Sequence, residues 1–294
     1  MSLLETGASD GKIKLSELFQ NKEVGANKGN LTLNDVLNLC TIGGWPRNIS
    51  NNLSAKDAFL ANKQYINDVV EVKIKDKNGI TSRDPIKMKR LIDSIARNVS
   101  TLVTLETIYE DVEQNKQSGI SKPTLMGYID VLKKLFIIEE IPAWSPNIRS
   151  SARLRKTPKT IFTDPSLAIA AQGKNNDYWM NDLRTFCFIF ANLVLRDLLT
   201  YGEANECSIS YYHDNTDLEV DAIITREDGA WGAVEIKLGV YDVEKAAHSL
   251  LRFKNKIETD KFKPSFLAVI VGVGGVAEKR SDGIYIIPID KLGI

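Results

Sequence analysis

Between Leu31 and Lys134, apolar positions recur at the spacing of amphipathic helices. Leu31 to Cys40 is the first such segment, with Thr32 as its cap. Gly43-Gly44-Trp45-Pro46 breaks it, and Trp45 reads as a core anchor or an interdomain one. Ser54 to Val72 follows, with Ala55, Phe59, Tyr65 and Ile66 on one stripe. Lys75 to Pro85 is polar and rich in Gly and Asp, a loop pattern. Pro85 then starts a helix to Asn98, with Met88, Leu91, Ile92 and Ile95 inward. Leu105 to Gln114 is a short helix. After a turn at Gln117 to Ile120, Ser121 caps another helix that runs to Lys134 and buries Leu125, Ile129, Leu132 and Leu135. Residues 1–30 are polar and carry little periodicity, which predicts an extended lead-in.

The period then changes. Phe136 to Ile141 and Thr160 to Thr163 read as paired strands. Ser166 to Ala171 is a short helix, and Asn176 to Tyr201 a long one with a break near Leu183. Three strands follow: Cys207 to Tyr212, a strand carrying Glu219 to Ile224, and Trp231 to Leu238. Glu227-Asp228-Gly229 supplies the turn between the last two. Val243 to Ile257 is a helix. Phe266 to Val273 is a central strand, and Gly283 to Pro288 an edge strand. Gly272-Val273-Gly274-Gly275 ends a strand in a turn, with no lysine or helix behind it.

This order predicts an α+β or α/β chain in three parts: a lead-in over 1–30, a helical winged-helix domain over 31–164, and an α/β domain with a mixed sheet over 165–294. A length of 294 residues fits two or three domains. The 43% hydrophobic and 26% charged content are those of a globular chain. Net charge is zero, so any nucleic-acid surface must be local. No apolar run reaches the ~18 residues of a membrane span, and the first thirty residues are too polar for a signal peptide. Cys40, Cys187 and Cys207 are odd in number and far apart, which predicts reduced thiols and a cytoplasmic location. With only His213 and His248, a Cys/His zinc site is not expected. No G-x-x-x-x-G-K-[ST] occurs, so this chain is not expected to bind ATP.

Helix, turn, helix and a β-hairpin with a long tip make a winged-helix arrangement. Its tip, Ser145 to Thr157, carries Arg149, Arg153, Arg155 and Lys156 without an acidic residue, and Lys159 extends the series. These five residues are the candidate nucleic-acid contacts. The helix before them holds Lys122, Lys133 and Lys134 but also Asp130. A module that docks on protein rather than DNA fits the same pattern.

The candidate chemistry lies on the two central strands. Side chains alternate along a strand, so Glu235 and Lys237 share a face. Asp221 lies on the neighbouring strand. Two carboxylates and a lysine are the groups that hold a divalent cation and a phosphate. The alternative is an ion pair knitting two strands together, because such networks gather the same residues.

Met1 to Glu5, Gly43 to Pro46, Ser82 to Pro85, Ile95 to Asn98, Ala143 to Pro146, Arg153 to Arg155, Phe162 to Ala168, Val194 to Leu198, and EVDAI with VEIKLG occur in this order along the chain. Together they resemble the region that follows the ATPase domain in a group of bacterial and archaeal AAA-type ATPases. That resemblance implies a winged-helix region followed by a restriction-endonuclease-like domain of the PD-(D/E)xK type, with the ATPase domain not in this chain. It also implies that Asp221 and Glu235 are metal ligands, for Mg²⁺, and that Lys237 assists the attacking water or the phosphorane. These three form the implied catalytic set. In that family the helix ahead of the sheet carries a glutamate after F-x-F; here Phe188-Ile189-Phe190 is followed by Ala191, which cannot ligate a metal. Glu219 is an alternative donor. The expectation is a DNA- or partner-binding module with a degenerate nuclease-like core; the alternatives are a Mg²⁺-dependent nuclease and a protein–protein regulatory module.

Overall fold

A computed structural model describes residues 1–71, 74–76, 79–81, 84–113, 119–145, 157–257, 259 and 262–294. The fold is α+β: a helical region and a domain with a mixed sheet of seven strands. It separates into two compact units, both discontinuous in sequence. One comprises residues 40–140 and 159–192, the other residues 1–39, 141–158 and 193–294. The expected boundaries at 30 and 164 therefore give way to a chain that crosses between units several times.

The helical unit forms helices where the periodicity predicts them, but the buried faces differ: of Ala55, Phe59, Tyr65 and Ile66 only Ile66 is buried, and Ile129 and Leu135 are only partly so. Its helices include Ala55–Val70, Pro85–Arg97, Leu105–Glu113, Lys122–Lys134 and Pro165–Gln172. Ser54, Asp84, Ser121 and Asp164 each accept a backbone N–H of the turn that follows, which satisfies donors a helix start leaves open. The helix Lys122–Lys134 buries Leu125, Tyr128, Val131 and Leu132. Ile138–Ile141 and Lys159–Phe162 form a two-stranded sheet. Within the expected loop after Lys75, Ile74–Asp76 and Gly79–Thr81 pair as antiparallel strands instead.

Two motif stretches meet inside this unit. Gly44 N–H donates to Asp164 Oδ2 at 2.8 Å, and Trp45 Nε1 donates to Ser166 Oγ at 2.9 Å. Gly43 has φ of +71°, and a Cβ there would lie 2.3 Å from Asp164 Oδ1. Only glycine fits that approach.

In the sheet unit the strand order is Asn27–Lys28, Val276–Lys279, Ile284–Pro288, Phe266–Val273, Trp231–Gly239, Glu219–Arg226, Cys207–His213. Phe266–Val273 runs parallel to both of its neighbours, and the last three strands form an antiparallel meander. Ile284–Pro288 is internal, not an edge, because Val276–Lys279 pairs outside it through the turn at residues 280–283, where Gly283 has positive φ. Helix Val243–Ile257 buries Val243, Ala246, Ala247, Leu250 and Phe253 in a core with Ala233, Val269 and Val271. Trp144, Tyr212, Trp231 and Phe253 join it as an aromatic cluster.

Residues 1–30 are part of this unit rather than an extended lead-in. Ile13–Lys14 pairs in parallel with Leu292–Gly293, and Asn27–Lys28 pairs with Val276 and Ala277. Leu3 is buried, and its N–H donates to Asp197 Oδ2 at 3.0 Å. The contacts that order this segment come from positions about 190 to 280 residues away, so local periodicity carries no trace of them.

Candidate carboxylate and lysine site

Three strands position the candidate residues. The pairs Ser210 with Ile223 and Tyr212 with Val220 enclose one residue on one strand, Tyr211, and two on the other, Asp221 and Ala222. This is a β-bulge, and Asp221 is in it. The backbone of Tyr211 turns outward to another partner: its N–H donates to Pro142 O at 2.9 Å and its carbonyl accepts from Trp144 N–H. Residues 142–144 therefore cover the sheet edge where the bulge lies. The regular ladder between the Asp221 strand and Trp231–Gly239 ends at Ala222 with Val234. Beyond it, the Asp221 carboxylate takes over: Oδ2 accepts the Ile236 N–H at 2.9 Å.

Glu235 and Lys237 lie in register with Val269 and Val271 on the neighbouring parallel strand. Both valines belong to the core under helix Val243–Ile257, so the two charged side chains share that face. Lys237 Nζ donates to Glu235 Oε2 at 2.7 Å and stands 3.8 Å from Asp221 Oδ2. The three sequence-predicted residues thus converge. Their exposure differs: the Glu235 side chain is 8% exposed, Asp221 22% and Lys237 25%.

One cation serves two carboxylates. Burial, then the Asp221 charge, pushes the Glu235 carboxyl up to about 8, against the opposing pull of Lys237. Burial would lower the Lys237 ammonium, but Asp221 and Glu235 outweigh it and hold it charged. The group therefore keeps its lysine positive and retains one proton on the carboxylate pair near neutral pH.

Two carboxylates with open water positions are a donor set of the kind Mg²⁺ uses. Here Glu235 Oε2 is engaged by Lys237 and Asp221 Oδ2 by a backbone N–H. A cation would have to compete with Lys237 for Glu235. No group of three or more His, Cys, Asp or Glu converges as a metal site among the described residues. Glu219 is half-buried and in register with His213.

Of the candidate nucleic-acid residues, Arg149, Arg153, Arg155 and Lys156 lie outside the described residues. Lys159, expected to extend the basic series, is instead 1% exposed within the strand Lys159–Phe162 and does not extend a surface patch. Strand alternation placed its side chain inward, and the basic tip ends before it.

Sequence reasoning missed a second polar cluster beside the bulge. Asp214 accepts from Tyr212 Oη, Thr216 N–H, Thr216 Oγ1 and Lys256 Nζ. Burial alone would raise its carboxyl, but these donors hold it well below the usual range. The only local signal was the D-N-T-D turn itself, whose Asp214-to-Thr216 contacts are an Asx turn.

Residues 33–178 match a family model described as a domain of unknown function (DUF8612), and residues 187–292 match another (DUF4143). The second is a domain found in AAA-ATPase-associated proteins. No curated protein and no solved structure matches the chain. No helix among the described residues is long and apolar enough to cross a membrane.

Proposed function

We propose that this chain is the non-ATPase part of an AAA-type ATPase and acts as a DNA- or partner-binding module around a nuclease-like core that no longer cleaves. The observation that carries this reading is the mutual satisfaction of Asp221, Glu235 and Lys237. The lysine hydrogen-bonds Glu235 rather than standing free for a phosphate, and Asp221 substitutes for a missing ladder bond. Ala191 stands where the resembled family carries a glutamate. The basic tip at Arg149, Arg153, Arg155 and Lys156 is the proposed DNA contact.

The test is binding of duplex DNA by the whole chain at about 50 and 200 mM salt, where phosphate contacts predict a steep fall in affinity. Absence of binding at the lower salt removes DNA and leaves a protein partner.

Convergence of the three residues also favours a second reading, a Mg²⁺-dependent phosphodiesterase. If Mg²⁺ is held by Asp221 and Glu235, it supplies charge neutralisation and an acidified water. Lys237 would then place its charge at the developing anion. Incubating DNA and RNA with the chain and Mg²⁺ or Mn²⁺ tests it. Cleavage that Asp221→Ala abolishes would establish this reading over the first; cleavage that persists in the variant would be a contaminant.

A further inference from the structure

The helical unit contains a cleft of about 530 Å³ that neither reading uses. Lys63 comes to it from helix Ala55–Val70, Lys89, Asp93 and Arg97 from helix Pro85–Arg97, and Lys174 and Tyr178 from the stretch after helix Pro165–Gln172. Its volume lies within the ~300–1,000 Å³ typical of small-ligand sites. Four cations and one carboxylate line it. The lining is net positive, and a concave surface focuses that field into the cleft.

The cations are not equally free. Lys89 is paired with Asp93 and reaches the Ala171 carbonyl at 3.4 Å. It thereby offsets the partial negative charge of the helix end at Gln172, which would otherwise repel an anion. Arg97 shares Asp111 at 2.6 Å and stays 52% exposed. Lys63 is exposed and makes no hydrogen bond or ion pair among the described residues. Lys174 Nζ lies 4.9 Å from the centroid of the Tyr178 ring, itself 44% exposed. A tyrosine ring that exposed, with a cation over one face and a cleft in front, offers its other face as a planar surface next to an anion site.

We infer that this cleft binds a nucleotide: Lys63, Lys174 and Arg97 take the phosphate, and Tyr178 takes the base. The ligand is either a free nucleotide or one unit of a single strand, since both present this chemistry. The inference does not involve Arg149, Arg153 or Arg155, so it stands or falls separately from the DNA reading above.

Calorimetric titration of the whole chain with inorganic phosphate, AMP and a short oligothymidylate tests it. Saturable binding of AMP or the oligonucleotide is expected. Lys63→Glu with Lys174→Glu should weaken it at least about tenfold by reversing two of its phosphate contacts. Both lysines are on the surface, so the fold should persist, checked by circular dichroism. Lys134→Glu with Lys245→Glu makes the same charge change at two exposed lysines that do not line the cleft and should leave affinity within about twofold, because solvent screens charges outside it. Tyr178→Ala should weaken AMP or the oligonucleotide and not inorganic phosphate. Binding of AMP alone assigns a free nucleotide; binding of the oligonucleotide alone assigns a strand. The inference is overturned if neither AMP nor the oligonucleotide saturates below about 5 mM. It is equally overturned if the control pair weakens binding as much as the cleft pair, or if Tyr178→Ala changes nothing.

Discussion

Lys237 Nζ sits 2.7 Å from Glu235 Oε2, two residues away on the same strand, with Asp221 3.8 Å from the same nitrogen. One ammonium between two carboxylates leaves a net negative charge in a mostly buried place, and a proton relieves it.

That proton makes stability depend on pH. The folded Glu235 carboxyl is raised to about 8 from an ordinary 4.5, so the folded chain binds more protons than the unfolded chain between those values. Its contribution is fully present below the unfolded value and is lost as pH rises through the folded one. The slope from this group is at most about 1.4 kcal/mol per pH unit. Glu235→Gln keeps the shape and should flatten that part of the profile. Urea unfolding of both proteins at several pH values between 5 and 8 reads it; parallel profiles would refute the assignment.

Asp197→Ala should be among the most damaging substitutions. Asp197 is fully buried, binds Arg196 and accepts the Leu3 N–H and the Tyr201 hydroxyl. Its loss takes away the carboxylate with which Arg196, itself 8% exposed, is paired. Breaking a buried pair in this way costs about 3–5 kcal/mol. The loss should also free residues 1–14, which limited proteolysis with mass spectrometry would detect as early cleavage there.

Gly232→Ala tests the packing of adjacent central strands. A Cβ at Gly232 would lie 2.2 Å from the ring of its register partner Phe266, and that ring is already pressed edge-on against Phe19 with centroids 5.1 Å apart. Overpacking should cost about 1–3 kcal/mol. Gly239→Ala, on the same strand with nothing within 4 Å, is the control and should stay within about 0.5 kcal/mol. Thermal unfolding compares them directly.

If duplex DNA binds at the basic tip, replacing Arg149, Arg153 and Arg155 together by alanine should reduce the magnitude of the log–log salt slope by up to about 3. Lys159→Met should leave that slope unchanged, since Lys159 is buried. An unchanged slope in the triple variant would move the contact elsewhere.

Most helices and strands were legible because each has a local cause. Thr32, Ser54, Ser121 and the prolines at 85 and 123 mark starts by capping or by fixing φ. The alternation around Asp221, Glu235 and Lys237 marks strands. What was not legible rests on distant pairing. The strand Val276–Lys279 is short and polar, and Asn27–Lys28 has no pattern at all; each exists only because its partner supplies a ladder.

Several motif stretches also changed meaning in three dimensions. Gly43 and Gly44 make room for and bind Asp164, Trp45 binds Ser166, and Asp197 anchors Leu3. Their residue types answer to these contacts.

From the sequence alone follow the helical and sheet regions, the caps, and the strands that carry two carboxylates and a lysine, because periodicity and turn chemistry act over a few residues. Only the tertiary structure decided three things. A bulge opposite Tyr211 turns Asp221 from a ladder position into an acceptor for Ile236 N–H. Burial beside Val269 makes Glu235 hold a proton. Lys237 is committed to both carboxylates. Each depends on register and desolvation, which are properties of strands brought together and not of any one of them.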